Sequence, residues 1–277
     1  MRAMAFYRTN FPTQELFSLV SVIFVLLGTN TNSVQALSFN FTKLTPGDSS
    51  ITLQGDAQIL SNGVLALTNS TPLPPGITFP TTGRALYTTP VPLWDSVTGL
   101  AASFVTSFSF VITRPEGRAP TDGLVFFIAP TDTVIPNNSN SQFLGVVDSR
   151  ISINRFVGVE FDLYANSFDP NMRHIGIDIN SLISTKTVRL RWSRLNGSLT
   201  KVTIIYDSPS NTLTAVVTYE NGQIITISQE VDLKTVLPNT VRIGLSATSI
   251  TALAFDIHSW SFTSNLEATT GNIVSDI

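Results

Sequence analysis

Residues 157–180 read VGVEFDLYANSFDPNMRHIGIDIN, and the alternation in this stretch decides how the rest of the chain is read. Val157, Val159, Phe161 and Leu163 fall on one face of an extended strand, because side chains alternate across a strand. Glu160, Asp162 and Tyr164 fall on the other face. In the returning half Ile175, Ile177 and Ile179 share the apolar face, which leaves His174, Gly176 and Asp178 opposite. The connection supplies Asn166 and Asp169, with Pro170 restricting the backbone beside Asp169. A pair of strands is predicted, apolar toward a core and carrying acids and an imidazole on the outer side.

The same period of two runs outward from this pair. Phe104, Phe108, Phe110 and Ile112 share one face of 103–113, with Ser107 and Ser109 on the other. Val188, Leu190 and Trp192 alternate with Arg189 and Arg191, and Val202, Ile204 and Tyr206 repeat the pattern. Leu213, Ala215, Val217 and Tyr219 lead into Asn221-Gly222, a strong hairpin signal, with 223–228 returning as the next strand. Gly123–Ala129 is apolar throughout and stops at Pro130, as a strand buried on both faces would. The best helical candidate is a single turn near Asp232–Val236, ended by Pro238. Many short strands between Gly, Pro, Asn and Ser turns predict an all-β sandwich or jelly roll in one domain.

Composition narrows the function. The chain has 277 residues, a net charge of −3, 13% charged residues and no cysteine. A core of this size needs neither disulfides nor a structural zinc. Four lysines are scattered at 43, 186, 201 and 234, with no basic stripe, which argues against a nucleic-acid partner. The absence of thiols removes cysteine nucleophiles and Cys-type zinc sites. At the start, Arg2 and Arg8 precede an apolar run from Leu16 to Leu27 and a polar stretch ending Val34-Gln35-Ala36. Residues 1–36 read as a secretory signal peptide; a membrane anchor would need about 20 apolar residues. No later segment is long and apolar enough to span a membrane. Sequons at Asn40, Asn69, Asn137 and Asn196 are candidate glycosylation sites, and residues 267–277 read as a loose tail.

The chemistry converges on Glu160, Asp162, Asp169 and His174. Three close carboxylates repel one another unless a cation sits among them. Carboxylates with one imidazole suit a transition metal such as Mn2+. Asp162, Asp169, the Asn166 amide oxygen and a backbone carbonyl form an all-oxygen set that suits Ca2+. The competing reading is a solvated turn with scattered acids and a satisfied histidine. A glycosidase is a second alternative, since Glu160 and Asp162 share a strand face like paired catalytic carboxylates. Ala165, Asn166 and Ser167 stand where a further carboxylate would be expected. No G-x-S-x-G elbow occurs, and His258 beside Trp260 reads as packed structure.

Motifs along residues 37–266 resemble the legume lectin family. They include LSFNF at 37–41, LQGDA at 53–57, GRALY at 83–87 and TDGLVFFIAP at 121–130. VEFDLYAN, HIGIDIN at 174–180, VDLKTVLP at 231–238 and SWSFTSNL at 259–266 continue the likeness. The resemblance implies a concanavalin A-like jelly-roll sandwich with a large back sheet, a curved front sheet and a small top sheet. It implies Mn2+ at Glu160, Asp162, Asp169 and His174, and Ca2+ at Asp162, Asn166, Asp169 and the backbone oxygen of Tyr164. It also implies a non-catalytic sugar site, with Asp122 accepting hydroxyl bonds, Asn166 donating, and Tyr164 offering a ring face. A cis peptide is implied at Thr121–Asp122.

Two departures stand out against the family. Gln142, in NSNSQFLGVV, replaces a glycine whose N–H contacts sugar, and the specificity loop ATSITALAFDIH at 247–258 lacks polar groups at Ile250, Ala252 and Leu253. Gln142, Ala252 and Leu253 are therefore candidate sugar contacts along with Asp122, Tyr164 and Asn166. The short loop favours mannose or glucose. The alternative is a lectin-like defence or storage protein with altered or lost sugar binding. The expected partners are glycans or glycoproteins and further copies of the chain as a homodimer or homotetramer. The expected location is the secretory pathway, ending outside the cell or in the vacuole.

Overall fold

Alternating strands of this kind bury one face and must find a second layer to cover it. The computed structural model describes residues 33–69, 77, 79–148 and 154–267. The apolar segment at 16–27 and nearly all of the proposed tail lie outside the described residues.

Among the described residues the chain forms sixteen strands. The first eight are β1 (Ser33–Phe41), β2 (Ile51–Gly55), β3 (Gln58–Ile59), β4 (Leu65–Ala66), β5 (Thr81–Tyr87), β6 (Val91–Pro92), β7 (Ala102–Thr113) and β8 (Gly123–Pro130). They are followed by β9 (Val157–Asp162), β10 (His174–Ile179), β11 (Lys186–Arg189), β12 (Thr200–Asp207), β13 (Thr212–Thr218), β14 (Ile224–Glu230), β15 (Thr240–Ser249) and β16 (Ala254–Glu267). One sheet runs β14-β13-β12-β7-β16-β4-β3, with β1 also on β16. The other runs β11-β10-β9-β8-β15-β5-β2, with β6 also on β15. The short strands join these two sheets, so the small third sheet implied by the family is not a separate body among the described residues.

The space between the sheets is filled by the predicted apolar faces. Phe104, Phe108, Phe110 and Ile112 of β7 meet Phe126 and Ile128 of β8 and Val159 and Phe161 of β9 in one buried cluster. Phe110 and Phe161 cross edge to face at 5.3 Å, a favoured aromatic geometry. The Asn221-Gly222 hairpin forms as read: β13 pairs with β14, and Gly222 holds φ +82°. Asp232 caps the single helical turn Leu233–Val236 by accepting from the Lys234 N–H.

Two expectations are corrected. Trp192 does not continue its strand; it opens a 3-10 turn, Trp192–Arg194, because the backbone closes locally with Arg194 N–H on Arg191 O and Leu195 N–H on Trp192 O. His258 is exposed rather than packed, because the register of β16 shifts between Ile257 and Ser259.

β8 explains its own uninterrupted apolar sequence. Leu124, Phe126 and Ile128 face the core between the sheets, while Val125, Phe127 and Ala129 belong to a second buried cluster. That cluster includes Leu144, Val146 and Val147 from the β8–β9 connection, which lies over the outer face of the sheet. The described part of this cover brings Ser141 to Asp122 and Gln142 to Asn166.

Candidate metal and ligand site

Pairing of β9 with β10 sets His174 opposite Asp162 and Gly176 opposite Glu160. The polar faces read from the sequence therefore coincide. Glu160, Asp162 and His174 are buried, and each offers one ligand atom within 4.8 Å of the others. His174 Nε2 stands 2.9 Å from Glu160 Oε1. Asp169 joins from the connection, sharing a hydrogen bond between its carboxyl group and that of Asp162. Three of the four expected residues form one compact group, and Asp169 lies beside it through Asp162.

Burial and the mutual repulsion of the acids set its electrostatics. Asp162 is pushed up to about 9, first by burial and then by the charges of Glu160 and Asp169. Burial also raises Asp169, against the lowering pull of the Asn166 N–H. At His174 burial favours the neutral ring, but the bond and charge of Glu160, with Asp169, shift the balance upward.

Two further groups complete the cluster. Asp178 is fully buried and raised well above the ordinary carboxylate value, by burial first and Glu160 second; its Oδ2 has no partner. Ser184 Oγ bridges the two acids, 2.5 Å from Glu160 Oε1 and 2.8 Å from Asp178 Oδ1; its single proton serves one of these bonds, and a protonated carboxyl supplies the other. Alternation placed Asp178 on this face, so the sequence held a signal for it. Ser184 comes from the turn after β10, which carries no such signal. Gly176 makes room for both, since a Cβ there would lie 2.0 Å from Ser184 Oγ and 2.7 Å from Glu160 Oε1.

The neighbouring oxygens converge differently. The Asn166 carbonyl oxygen lies 3.0 Å from Tyr164 O and 3.2 Å from Asp169 Oδ2, facing acceptors alone, while Nδ2 donates to Gln142 Oε1 at 2.9 Å. Turned over, the amide would donate to both oxygens and set its own oxygen against Gln142. A carbonyl oxygen aimed at two other oxygens fits a hard cation between them, which is the chemistry of the all-oxygen donor set.

Asp122 follows a cis Thr121–Asp122 peptide, as expected. Its carbonyl accepts from Leu163 N–H at 2.9 Å and its N–H donates to Thr248 O at 3.1 Å, tying it to the ends of β9 and β15. Asp122 is buried; Ser141 Oγ donates to its Oδ1 at 3.0 Å, and Oδ2 has no partner. Burial raises the carboxyl to about 6, partly offset by Ser141 and the Ile250 N–H. Ser141 was not singled out from the sequence.

Tyr164 is 49% exposed, which leaves its ring available beside Asn166. The specificity loop is placed otherwise. Leu253 is fully buried in the main core, and Ala252 is buried with φ +59°. The Leu253 side chain is thereby withdrawn from any ligand, because it fills core volume; the loop reaches Asp122 through the Ile250 N–H instead. Asn40, Asn69, Asn137 and Asn196 are all exposed.

Comparison with known proteins shows the family. The legume lectin domain family matches residues 36–276. A non-seed lectin of Pisum sativum is 75% identical over 274 residues, covering 99% of this chain and 100% of the relative. Among solved structures, a Lotus tetragonolobus seed lectin is 51% identical with TM-score 0.76, covering 84% of this chain and 100% of that one. A peanut lectin structure is 46% identical with TM-score 0.78, covering 85% and 100%. With its sandwich, its acid–histidine cluster and these relatives in agreement, the chain belongs to the legume lectin domain family.

Proposed function

We propose that the chain binds glycans non-covalently at Asp122, Asn166 and the exposed ring of Tyr164, in a site organised by calcium and manganese. Carbohydrate binding is the function of the family, and the relatives carry lectin names; the chain is not an enzyme. The observation that carries the metal reading is the buried group of Glu160, Asp162 and His174, whose ligand atoms lie within 4.8 Å of one another. Calcium would be held by Asp162, Asn166, Asp169 and Tyr164 O, and manganese by Glu160, Asp162, Asp169 and His174. The cations would supply positive charge that offsets the buried carboxylates. Asn166 would then keep Nδ2 outward as a donor, Asp122 would accept from sugar hydroxyls, and Tyr164 would cover an apolar ring face.

The mannose or glucose preference expected from loop length finds no support in those relatives whose names state a sugar. A lectin of Arachis hypogaea, 45% identical, is named galactose-binding, and lectin UEA-II, 42% identical, was solved with galactose. Lectin I of Ulex europaeus, 34% identical, was solved with the methyl glycoside of α-L-fucose. Two of these three name galactose, and we adopt galactose for this chain.

A second reading, a defence or storage protein with lost sugar binding, is favoured by one feature. Gln142 already accepts from Asn166 Nδ2, and Ser141 already donates to Asp122. A glycan array run with calcium and manganese, and again after chelation, separates the readings. Galactose binding that disappears on chelation supports the first. Silence with metals bound would establish the second, and mannose binding would restore the expectation from loop length.

We further propose that the chain enters the secretory pathway, to the cell exterior or the vacuole, a reading supported by its apolar leader and exposed sequons. No helix among the described residues is long and apolar enough to cross a membrane. Assembly as a homodimer or homotetramer, the state tested by light scattering, would add avidity to a shallow site.

A further inference from the structure

Arg84 lies mid-strand in β5, between Gln54 of β2 and Ser246 of β15. It is 1% exposed. Nη2 donates to Thr133 Oγ1 at 2.9 Å, and the guanidinium carbon sits 4.4 Å from the centre of the Phe127 ring. Nε and Nη1 are buried with no hydrogen-bond partner. Unmade bonds from a buried charged donor are among the more expensive features a fold can carry. Burial alone pulls this guanidinium down to about 9, which leaves it charged at neutral pH, and no carboxylate offsets the effect.

Arg84 lines a cavity of about 290 Å3 beneath the β8–β9 connection. Phe127, Pro130, Val146 and Phe156 give it apolar walls. Asp132 and Arg155 line it as well and are exposed; no ion pair joins Asp132 to Arg84 among the described residues. None of Asp122, Gln142, Tyr164, Asn166 or the metal-type residues belongs to this lining. An apolar cavity of roughly 150 Å3 is large enough to hold benzene, so this one has room for a ring and an acidic group.

We propose that this cavity is a second binding site, independent of the glycan site, for a small monocarboxylate with an aromatic or compact apolar body. Nε and Nη1 are closed to solvent in this structure, so the Arg84 side chain would turn toward the cavity on binding, and the carboxylate would accept from these two N–H groups. The body would lie against Phe127 and Phe156, replacing water on apolar surface. Phosphate lacks a group for the apolar walls, and a neutral aromatic leaves the guanidinium uncompensated. The combination of one buried cation with aromatic walls selects a ligand having both parts.

The test is calorimetric titration of the full protein with benzoate, benzamide and inorganic phosphate, repeated on Arg84→Met and Val134→Trp. Val134 is 65% exposed and lines the same cavity, so the tryptophan narrows it while the guanidinium is kept. Benzoate is expected to saturate one site per chain, with benzamide and phosphate about tenfold weaker or more, the scale of a charge-assisted hydrogen bond. Both substitutions are expected to remove benzoate binding while glycan binding is unchanged. No benzoate binding by the unaltered protein overturns the proposal. Equal binding of benzamide would reduce the site to an apolar void, and equal binding of phosphate to an anion site. If Arg84→Met does not fold, Val134→Trp decides: benzoate binding that survives it places the ligand elsewhere.

Discussion

Nδ2 of Asn166 donates to Oε1 of Gln142 at 2.9 Å, joining the loop after β9 to the 3-10 turn Ser141–Phe143. The bond leaves the other amide atom of Asn166 3.0 Å from Tyr164 O and 3.2 Å from Asp169 Oδ2. It also uses the donor that a bound sugar would need. One side chain thus supports the cation-facing geometry and competes with the ligand.

Gln142→Gly should separate these effects. Removing the acceptor frees Asn166 Nδ2, and glycan affinity is expected to rise about tenfold, the worth of a recovered hydrogen bond to a polar ligand. Titration with the best array ligand measures it. Unchanged or weaker binding would mean that Gln142 serves the sugar rather than excluding it.

The pH dependence of stability should differ between metal-loaded and chelated protein. Asp122 and Asp162 are raised, chiefly by burial, from 3.8 to about 6 and about 9. Their contribution is fully present below the unfolded value and is lost as pH rises through each folded value. The Tm of chelated protein should therefore fall from pH 5 toward pH 9. Asp48 and Asp95 are lowered by local hydrogen bonds and titrate below this window. Bound cations replace the protons of the cluster, so the gap in Tm between loaded and chelated protein should widen over the same range. A gap independent of pH would show that cations and protons do not compete there.

Gly176→Ala is expected to disrupt the metal cluster from behind. The added Cβ must displace Ser184 or Glu160. Overpacking of this kind destabilises by ~1–3 kcal/mol. The increase of Tm on adding calcium and manganese should shrink in this variant, as followed by differential scanning calorimetry. An increase equal to that of the unaltered protein would mean that the bridge through Ser184 contributes nothing to metal binding.

Trp260→Ala tests the joint between the sheets. Its indole is buried, donates to Thr106 Oγ1 at 3.1 Å and meets the Phe39 ring edge to face at 5.0 Å. A loss of about 3–5 kcal/mol in denaturant unfolding is expected from the transfer and cavity contributions together. A loss under about 1 kcal/mol would show that neighbouring side chains close the cavity.

Residues 157–180 show how far the sequence alone could be read. Period-two alternation placed Glu160, Asp162, His174 and Asp178 on one face, and the β9–β10 register bears that out residue by residue. The doubly apolar run of β8 announced burial on both sides, which its two clusters confirm. The same reading failed at Trp192, where local turn bonds overrode the alternation, and at His258, where a register shift turned the side chain outward.

By itself the sequence determined the strands, the faces they bury and the acids and imidazole that share the outer face. These follow from the geometry of an extended chain, in which each residue's side is set by its neighbours. Only the tertiary structure decided that Ser184 bridges Glu160 and Asp178, that Gln142 occupies the Asn166 donor, that Leu253 sinks into the core, and that Arg84 is enclosed beneath the β8–β9 connection. Such contacts join positions far apart in the chain through loops without a repeating period. Their geometry is set by the packing of one segment on another, and no local pattern records it.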